Sequence, residues 1–117
     1  MDRQVIGDSN QEIQGKRRRS LNIDLEYYKI FYYVGKMGGI SLAAKELCIS
    51  QPAVSQSVKQ LESQLKTKLF IRTSKGVTLT TEGRVLYSYV KQGLEYLMTG
   101  ERKFQEMLDL ESGEIRI

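Results

Sequence analysis

The residue types in this chain of 117 residues favour binding chemistry over catalysis. The sequence contains no histidine, one cysteine and one proline. A Ser-His-Asp triad, a Cys-His dyad and a histidine-ligated zinc site all require the missing imidazole. A single cysteine can form neither an internal disulfide nor a two-cysteine metal site. The sequence therefore predicts no enzyme, no cofactor and no metal site.

The clearest binding chemistry lies on a helix predicted over about residues 51–65. Ser50 precedes this helix as an N-cap, and Pro52 lies in the first turn, where its missing N–H costs no hydrogen bond. At 100° per residue, four apolar side chains fall within about 60° of one another. They define the inward face of the helix: Val54, Val58, Leu61 and Leu65.

The opposite face of this helix carries amides, hydroxyls and one cation but no carboxylate. Its members are Pro52, Gln56, Lys59 and Ser63, flanked by Ser55 and Gln60. Glu62 lies at the edge of the apolar stripe. Amide and hydroxyl groups match the donors and acceptors of base edges in the major groove. A face that served only solubility would usually include Asp and Glu, so the pattern favours contact with duplex DNA.

Two earlier helices are predicted to position this face. Asp24 caps a first helix, which glycines at 35, 38 and 39 end. Its apolar residues recur at a spacing of three: Leu25, Tyr28, Phe31 and Val34. Ser41 is predicted to cap a second helix over residues 42–47, in which two alanines allow another helix to approach closely. The short connection at Cys48 and Ile49 makes the second and third helices a helix-turn-helix.

A short hairpin is predicted over residues 68–80, directly after the third helix. Two β-prone runs flank a turn that contains Gly76. Lys68, Arg72 and Lys75 place three cations on or beside this hairpin. Such a wing can contact the DNA backbone or enter the minor groove, where negative potential attracts Lys and Arg.

A fourth helix is predicted from a Thr80 cap to about residue 110. Some thirty residues give a length of roughly 45 Å, which is too long to bury its apolar stripe inside a small winged domain. A second copy of the chain is therefore expected to cover that stripe. The predicted dimerisation residues are Leu86, Val90, Leu94, Leu97, Phe104 and Leu108.

Charge is segregated along the chain. Residues 1–20 carry a net charge of +2, residues 21–80 carry +4, and residues 81–117 carry −2. The basic middle segment suits a polyanion. Residues 1–20 lack apolar periodicity and are expected to be a disordered extension or an expression remnant. The absence of a long apolar run or a signal-peptide core predicts no membrane contact and a cytoplasmic protein.

Several segments together resemble the N-terminal part of LysR-type transcriptional regulators. The resemblance covers about 93 of the 117 residues. Its motifs are Leu25-x-x-Tyr28-x-x-Phe31-x-x-Val34, Ser41-Leu42-Ala43-Ala44-Lys45-Glu46-Leu47, Ser50-Gln51-Pro52-Ala53-Val54-Ser55-Gln56, Leu61-Glu62, Leu69-Phe70-x-Arg72 and Leu79-Thr80-x-x-Gly83.

This resemblance implies a mainly α fold, a winged helix-turn-helix over residues 21–80 followed by a linker helix over 81–111 that dimerises. Residues 112–117 are similar to the first strand of an effector domain that senses a small molecule. A homodimer that binds double-stranded DNA is implied, with a higher oligomer in the full-length protein. The DNA-contacting residues it implies are Ser50, Gln51, Pro52, Ser55, Gln56 and Lys59 on the helix and Arg72, Thr73 and Lys75 on the wing.

Three positions depart from the family pattern. Gln56 stands where many relatives have Arg, which replaces a guanine or phosphate contact with an adenine-type or weaker one. Lys66 stands where the family usually has a helix-ending Gly, so it must adopt a left-handed conformation or the helix must end differently. Tyr28 replaces a common Leu and implies a core adjustment.

The alternative function is a winged-helix protein-interaction or dimerisation module without sequence-specific DNA contacts. The two hypotheses differ in electrostatics. DNA binding weakens steeply with salt, because each neutralised phosphate releases counterions.

Overall fold

The computed structural model of this chain describes residues 22–111. It has the predicted fold class: three helices, a two-stranded wing and a long helix. The predictions for residues 1–20 and 112–117 lie outside the described residues. The elements are α1 (Leu25–Met37), α2 (Ile40–Leu47), α3 (Gln51–Leu65), β1 (Phe70–Thr73), β2 (Gly76–Leu79) and α4 (Thr81–Glu111).

Side-chain caps begin three of the helices, as the sequence predicts. The Asp24 carboxylate accepts a hydrogen bond from the Glu26 amide at 2.9 Å. The Ser50 hydroxyl accepts from Ala53 N at 3.2 Å. The Thr80 hydroxyl accepts from Gly83 N at 2.9 Å. Each cap pairs a backbone N–H that the first helical turn leaves without a partner.

The predicted Ser41 cap of α2 is wrong, whereas the predicted end of α1 is confirmed at Gly38 and wrong at Gly35. α2 begins at Ile40, with Gly39 as an N-cap that offers no side-chain bond, so Ser41 lies inside the first turn. α1 continues through Gly35 and ends at Met37, where Gly38 adopts the left-handed conformation at φ 80°. Gly35 remains helical because the packing of α1 against α4 overrides its low helix propensity.

The apolar stripe of α1 is shorter than predicted. Phe31 and Val34 are fully buried and Tyr28 is half-buried, but Leu25 is 66% exposed. Ile23, just before the Asp24 cap, is buried in the core instead and shares a cluster with Tyr28. This is the arrangement of a hydrophobic staple, in which the residue before the cap packs onto the first turn.

Two helices end on residues other than glycine in the left-handed conformation. Lys66 has φ 56°, one of the two outcomes that its departure from the family pattern implied, and Cys48 has φ 58°. Thr67 N donates to Glu62 O at 3.1 Å, and Ile49 N donates to Ala44 O at 3.0 Å. These bonds satisfy the last helical carbonyls and oppose the roughly 1–2 kcal/mol that a left-handed L-residue costs.

The core consists of two neighbouring clusters on either side of α1. One joins α1 to α2 and α3, and the buried Ala43 and Ala44 allow the close helix approach that the sequence predicts. Its buried members are Ile30, Val34, Ala43, Ala44, Val54 and Val58. The other joins α1 to α3, to the wing and to the first turns of α4. Its buried members are Ile23, Phe31, Leu61 and Leu69.

The wing is an antiparallel hairpin in the predicted position. Phe70 pairs with Leu79 and Thr73 with Gly76. The Thr73 hydroxyl donates to Gly76 O at 3.2 Å and accepts from Lys75 N at 3.2 Å, which fixes the turn. Val77 N donates to Gly38 O at 3.1 Å, so β2 is also tied to the turn between α1 and α2.

The Glu62 carboxylate joins α3 to the root of the wing. Its Oε2 atom accepts hydrogen bonds from Leu69 N at 2.8 Å and Phe70 N at 3.3 Å. The side chain of Glu62 is 12% exposed, and Lys68 Nζ lies 3.8 Å from Oε1. Because Lys68 is largely exposed, that ion pair contributes little. The two backbone bonds therefore carry the connection.

Replacing Glu62 with Ala should loosen the wing. Both amides would lose a charged acceptor in a partly buried site, so we expect the free energy of unfolding in urea to fall by about 1–3 kcal/mol. Hydrogen exchange at the Leu69 and Phe70 amides should accelerate. Glu46→Ala removes an exposed carboxylate from α2 and is the control. Unchanged exchange at both amides would contradict the assignment.

Candidate nucleic-acid interface

The outer face of α3 is exposed as the sequence predicts. Gln51, Pro52, Gln56 and Lys59 are exposed and Ser55 is half-exposed, while Val54, Val58 and Leu61 are buried beneath them. The buried stripe holds the helix against the domain, so that the polar face points away from it. Ser50 is exposed at the N-terminus of α3, and its hydroxyl oxygen serves the cap.

The predicted wing residues lie at the exposed end of the hairpin. Arg72 and Thr73 belong to β1, Lys75 lies in the turn, and all three side chains are exposed. The Thr73 hydroxyl holds the turn, which makes it a positioning group as well as a candidate contact. The Arg72 guanidinium and the Lys75 ammonium can form charge-assisted hydrogen bonds with anions such as phosphate.

A cleft of about 340 Å³ lies between α3 and the wing. Its polar lining includes Ser55, Lys59 and Glu62 from α3 and Lys68 and Arg72 from the wing side. The structure thus brings predicted residues of the two elements onto one continuous surface. Gln51, Pro52 and Lys75 lie outside the cleft lining, at the start of α3 and in the wing turn.

The charge of this region is strongly positive. Residues 50–80 contain five basic side chains and one acidic side chain. The single carboxylate belongs to Glu62, which turns inward to the wing backbone. Glu62 lines the cleft but its side chain is only 12% exposed. The exposed side chains of the surface are mainly cations, amides and hydroxyls, which attract a polyanion and can donate and accept hydrogen bonds. Sequence analysis placed Glu62 at the edge of the apolar stripe but did not predict its backbone bonds.

The predicted dimerisation stripe divides into two parts along α4. Leu86 and Val90 pack against the core of their own chain, so the protomer already uses them. Leu94 is half-buried. The later residues are open to solvent: Leu97 is 60% exposed, Phe104 57% and Leu108 39%. The winged domain packs against only the first turns of α4, and the later turns extend beyond it. The spacing of apolar residues does not show where along the helix this packing stops.

A second exposed apolar row on α4 was missed. Val85, Tyr89 and Tyr96 are exposed, and their spacing of four and seven residues is a helical spacing that could have revealed them.

Among residues 22–111, no cluster of His, Cys, Asp or Glu could hold a metal ion. In the same range, no helix is both long and apolar enough to cross a membrane.

Comparison with curated proteins finds relatives among transcriptional regulators. The HTH-type transcriptional regulator TfdT of Cupriavidus pinatubonensis is 34% identical over 95 residues, which cover 81% of this chain and 42% of TfdT. The HTH-type transcriptional regulator CzcR of Bacillus anthracis is 45% identical over 73 residues, which cover 62% of this chain and 25% of CzcR. The chain thus spans less than half the length of these relatives.

Solved structures with the same fold include DNA complexes. The BenM_DBD/benA site 1 DNA complex matches with a TM-score of 0.66 and 28% identity, covering 73% of this chain and 96% of that one. The CbnR_DBD–DNA complex matches with a TM-score of 0.62 and 28% identity, covering 72% of this chain and 98% of that one.

The family model that describes a bacterial regulatory helix-turn-helix protein of the lysR family matches residues 25–84, which span α1 to the first turn of α4. This match covers just over half of the 117 residues and includes both the helix-turn-helix and the wing. The chain therefore belongs to the lysR family of bacterial regulatory helix-turn-helix proteins.

Proposed function

We propose that this chain binds double-stranded DNA sequence-specifically as the DNA-binding part of a transcriptional regulator. α3 lies in the major groove, and the wing contacts the backbone or the minor groove. The outward face of α3, which has no carboxylate and adjoins the basic wing, carries this proposal. The DNA complexes of BenM and CbnR DNA-binding domains, which share the fold, support it.

The exposed side chains of α3 suit contact with base edges. Gln51 and Gln56 each offer an amide that can bond adenine through two atoms, N6 and N7. Ser55 adds a hydroxyl between them, and Lys59 lies one turn further along. Phosphate contacts from the wing cations then fix the position of α3 on the duplex, because backbone contacts orient a protein while base contacts specify the sequence.

The same proposal includes a homodimer formed through α4. Leu97, Phe104 and Leu108 are apolar and exposed in the protomer, and a second copy of α4 would remove them from water. A higher oligomer, a small-molecule effector bound by a further domain, and a cytoplasmic location are proposed for the full-length regulator on the strength of its family.

Replacing Gln51 or Gln56 with Ala should change base preference more than general affinity. Each loss of a two-atom contact should reduce discrimination by about 1–3 kcal/mol. Selection of bound sequences from a random duplex pool, followed by titration of the selected site against random DNA, measures this. Gln64→Ala, an exposed amide near the end of the same helix, is the control. An unchanged ratio of specific to random binding in both variants would remove α3 from sequence recognition.

Replacing Lys75 with Ala should weaken binding to every duplex and flatten its salt dependence. Each lost phosphate contact lowers the slope of log K against log salt by about one. Titration from low to high salt measures the slope, with Lys103→Ala on α4 as a matched loss of charge. The same slope in Lys75→Ala and wild type would exclude the wing. Absence of DNA binding by the wild type at low salt would favour the protein-interaction module.

Replacing Leu97 with Asp should dissociate the dimer, because the change places a charge in an apolar contact. The fold of the protomer should survive, since Leu97 is 60% exposed within it. Sedimentation equilibrium measures the association, and circular dichroism measures the fold. Gln92→Asp adds the same charge at an exposed polar position of α4. An intact dimer in Leu97→Asp would place the interface elsewhere.

A further inference from the structure

The ring of Tyr87 on α4 lies directly against the backbone of Gly35 on α1. A methyl group at position 35 would stand 2.9 Å from both Cδ1 and Cε1 of that ring. Carbon atoms in favourable contact are about 3.5–4.0 Å apart. Any residue other than glycine at position 35 therefore requires the ring, and the helix that carries it, to move.

Other aromatic rings hold Tyr87 in this position. Tyr32 stacks on it with ring centroids 5.4 Å apart and planes 18° apart. Phe31 meets it edge-on at 6.3 Å and 72°. Both neighbours are buried in the core. Burial, with a smaller contribution from Tyr32, raises the pKa of the Tyr87 phenol, in keeping with these surroundings. The ring cannot rotate away from a new methyl group without disturbing the stack.

The start of α4 is fixed at a second point, the root of the wing. The Thr80 hydroxyl donates to Lys68 O at 2.8 Å, and Thr80 N donates to Leu69 O at 3.0 Å. A side chain at Gly83 would collide with Leu69 O, so the backbones of α4 and the wing root are in direct contact here. Displacement at Tyr87 must therefore tilt α4 about Gly83 rather than translate it.

The length of α4 amplifies such a tilt. At 1.5 Å per residue, Tyr87 lies about 6 Å from Gly83 and Glu111 lies about 42 Å from it. A shift of about 0.7 Å at the ring then becomes roughly 5 Å at the far end and over 2 Å at Leu97. Successive base pairs of duplex DNA are about 3.4 Å apart along the helix axis. The displacements of α4 between Leu97 and its far end are therefore comparable with the spacing of one base pair.

We propose that the contact between Gly35 and Tyr87 sets the angle at which α4 leaves the winged domain, and thereby the spacing of the two half-sites that a dimer binds. Gly35 is then a specificity-determining residue that touches no DNA. The half-site part of this inference rests on the proposed function, whereas the angle does not.

Replacing Gly35 with Ala tests the angle directly. Cys48 is exposed on the winged domain and can carry a spin label, and Lys103→Cys places a second label on α4. We expect electron-electron distance measurements, on dimers diluted with unlabelled chain, to show the distance shifting by up to about 3.5 Å, the displacement that the same tilt gives at position 103. Gly39→Ala adds the same methyl between α1 and α2, where only Leu42 Cδ1 lies within 4 Å, at an ordinary contact distance of 3.9 Å, and should leave the label distance unchanged. An unchanged distance in a folded Gly35→Ala variant would overturn the proposal.

Tyr87→Leu tests the same contact by changing the ring instead of the glycine. It is the variant to measure if Gly35→Ala does not fold. A smaller side chain lets α4 settle towards α1, so the label distance should change in the opposite sense. If neither Tyr87→Leu nor any folded Gly35 variant changes the distance, the proposal fails.

Titration against inverted repeats, with half-site separation varied by single base pairs, tests the consequence for DNA. We expect Gly35→Ala to keep wild-type affinity for a single half-site within about twofold and to change the preferred separation by at least one base pair. A shifted label distance with unchanged separation preference would overturn the half-site part. Failure of the wild type to bind any duplex would overturn the proposed function and leave the distance measurement as a separate test of the angle.

Discussion

One buried aromatic side chain, Phe31, holds together the elements on which the proposed function depends. It is fully buried on α1 and shares a cluster with Leu61 of α3 and with Leu69 at the root of the wing. Its ring lies 5.4 Å from that of Phe70 on β1 and 6.3 Å from that of Tyr87 on α4. Burial of large aromatic and aliphatic groups is the dominant stabilising contribution in a domain of this size. α3, the wing and the first turns of α4 therefore meet at one cluster, which fixes where α4 begins relative to the other two.

The polar chemistry of the molecule follows from this core. Within residues 22–111, every charged side chain retains solvent contact, since burial of an unpaired charge is costly. Glu62 comes nearest to an exception, and the backbone N–H groups of Leu69 and Phe70 satisfy its carboxylate. The only negative charge between residues 50 and 80 is thereby used inside the fold. The two bonds that place the wing beside α3 thus also engage the Glu62 carboxylate, which lines the cleft but is only 12% exposed.

The predictable features of this fold are local in sequence. Asp24, Ser50 and Thr80 cap helices because a short polar side chain bonds an amide two or three residues ahead. The inward stripe of α3 and the wing hairpin follow in the same way from periodicity and turn chemistry. Features that depend on contacts between distant segments were not predicted. Gly35 continues a helix that its propensity should end, because Tyr87 packs against it. Leu86 and Val90 belong to the core of their own chain because the domain lies beneath only the first turns of α4.

The glycines of the later half of α4 support an approach by a second helix. Gly93 and Gly100 each cost about 1 kcal/mol relative to Ala in a helix interior. Nothing in the described chain lies within 4 Å of where their side chains would stand, so the protomer offers no packing that offsets this cost. At 100° per residue they fall beside the exposed Leu97 and Phe104 on one side of the helix. Small residues next to exposed apolar ones allow two backbones to come close while the large side chains pack around the crossing. The tilt of α4 would then decide where that crossing places the two copies of α3 along a duplex.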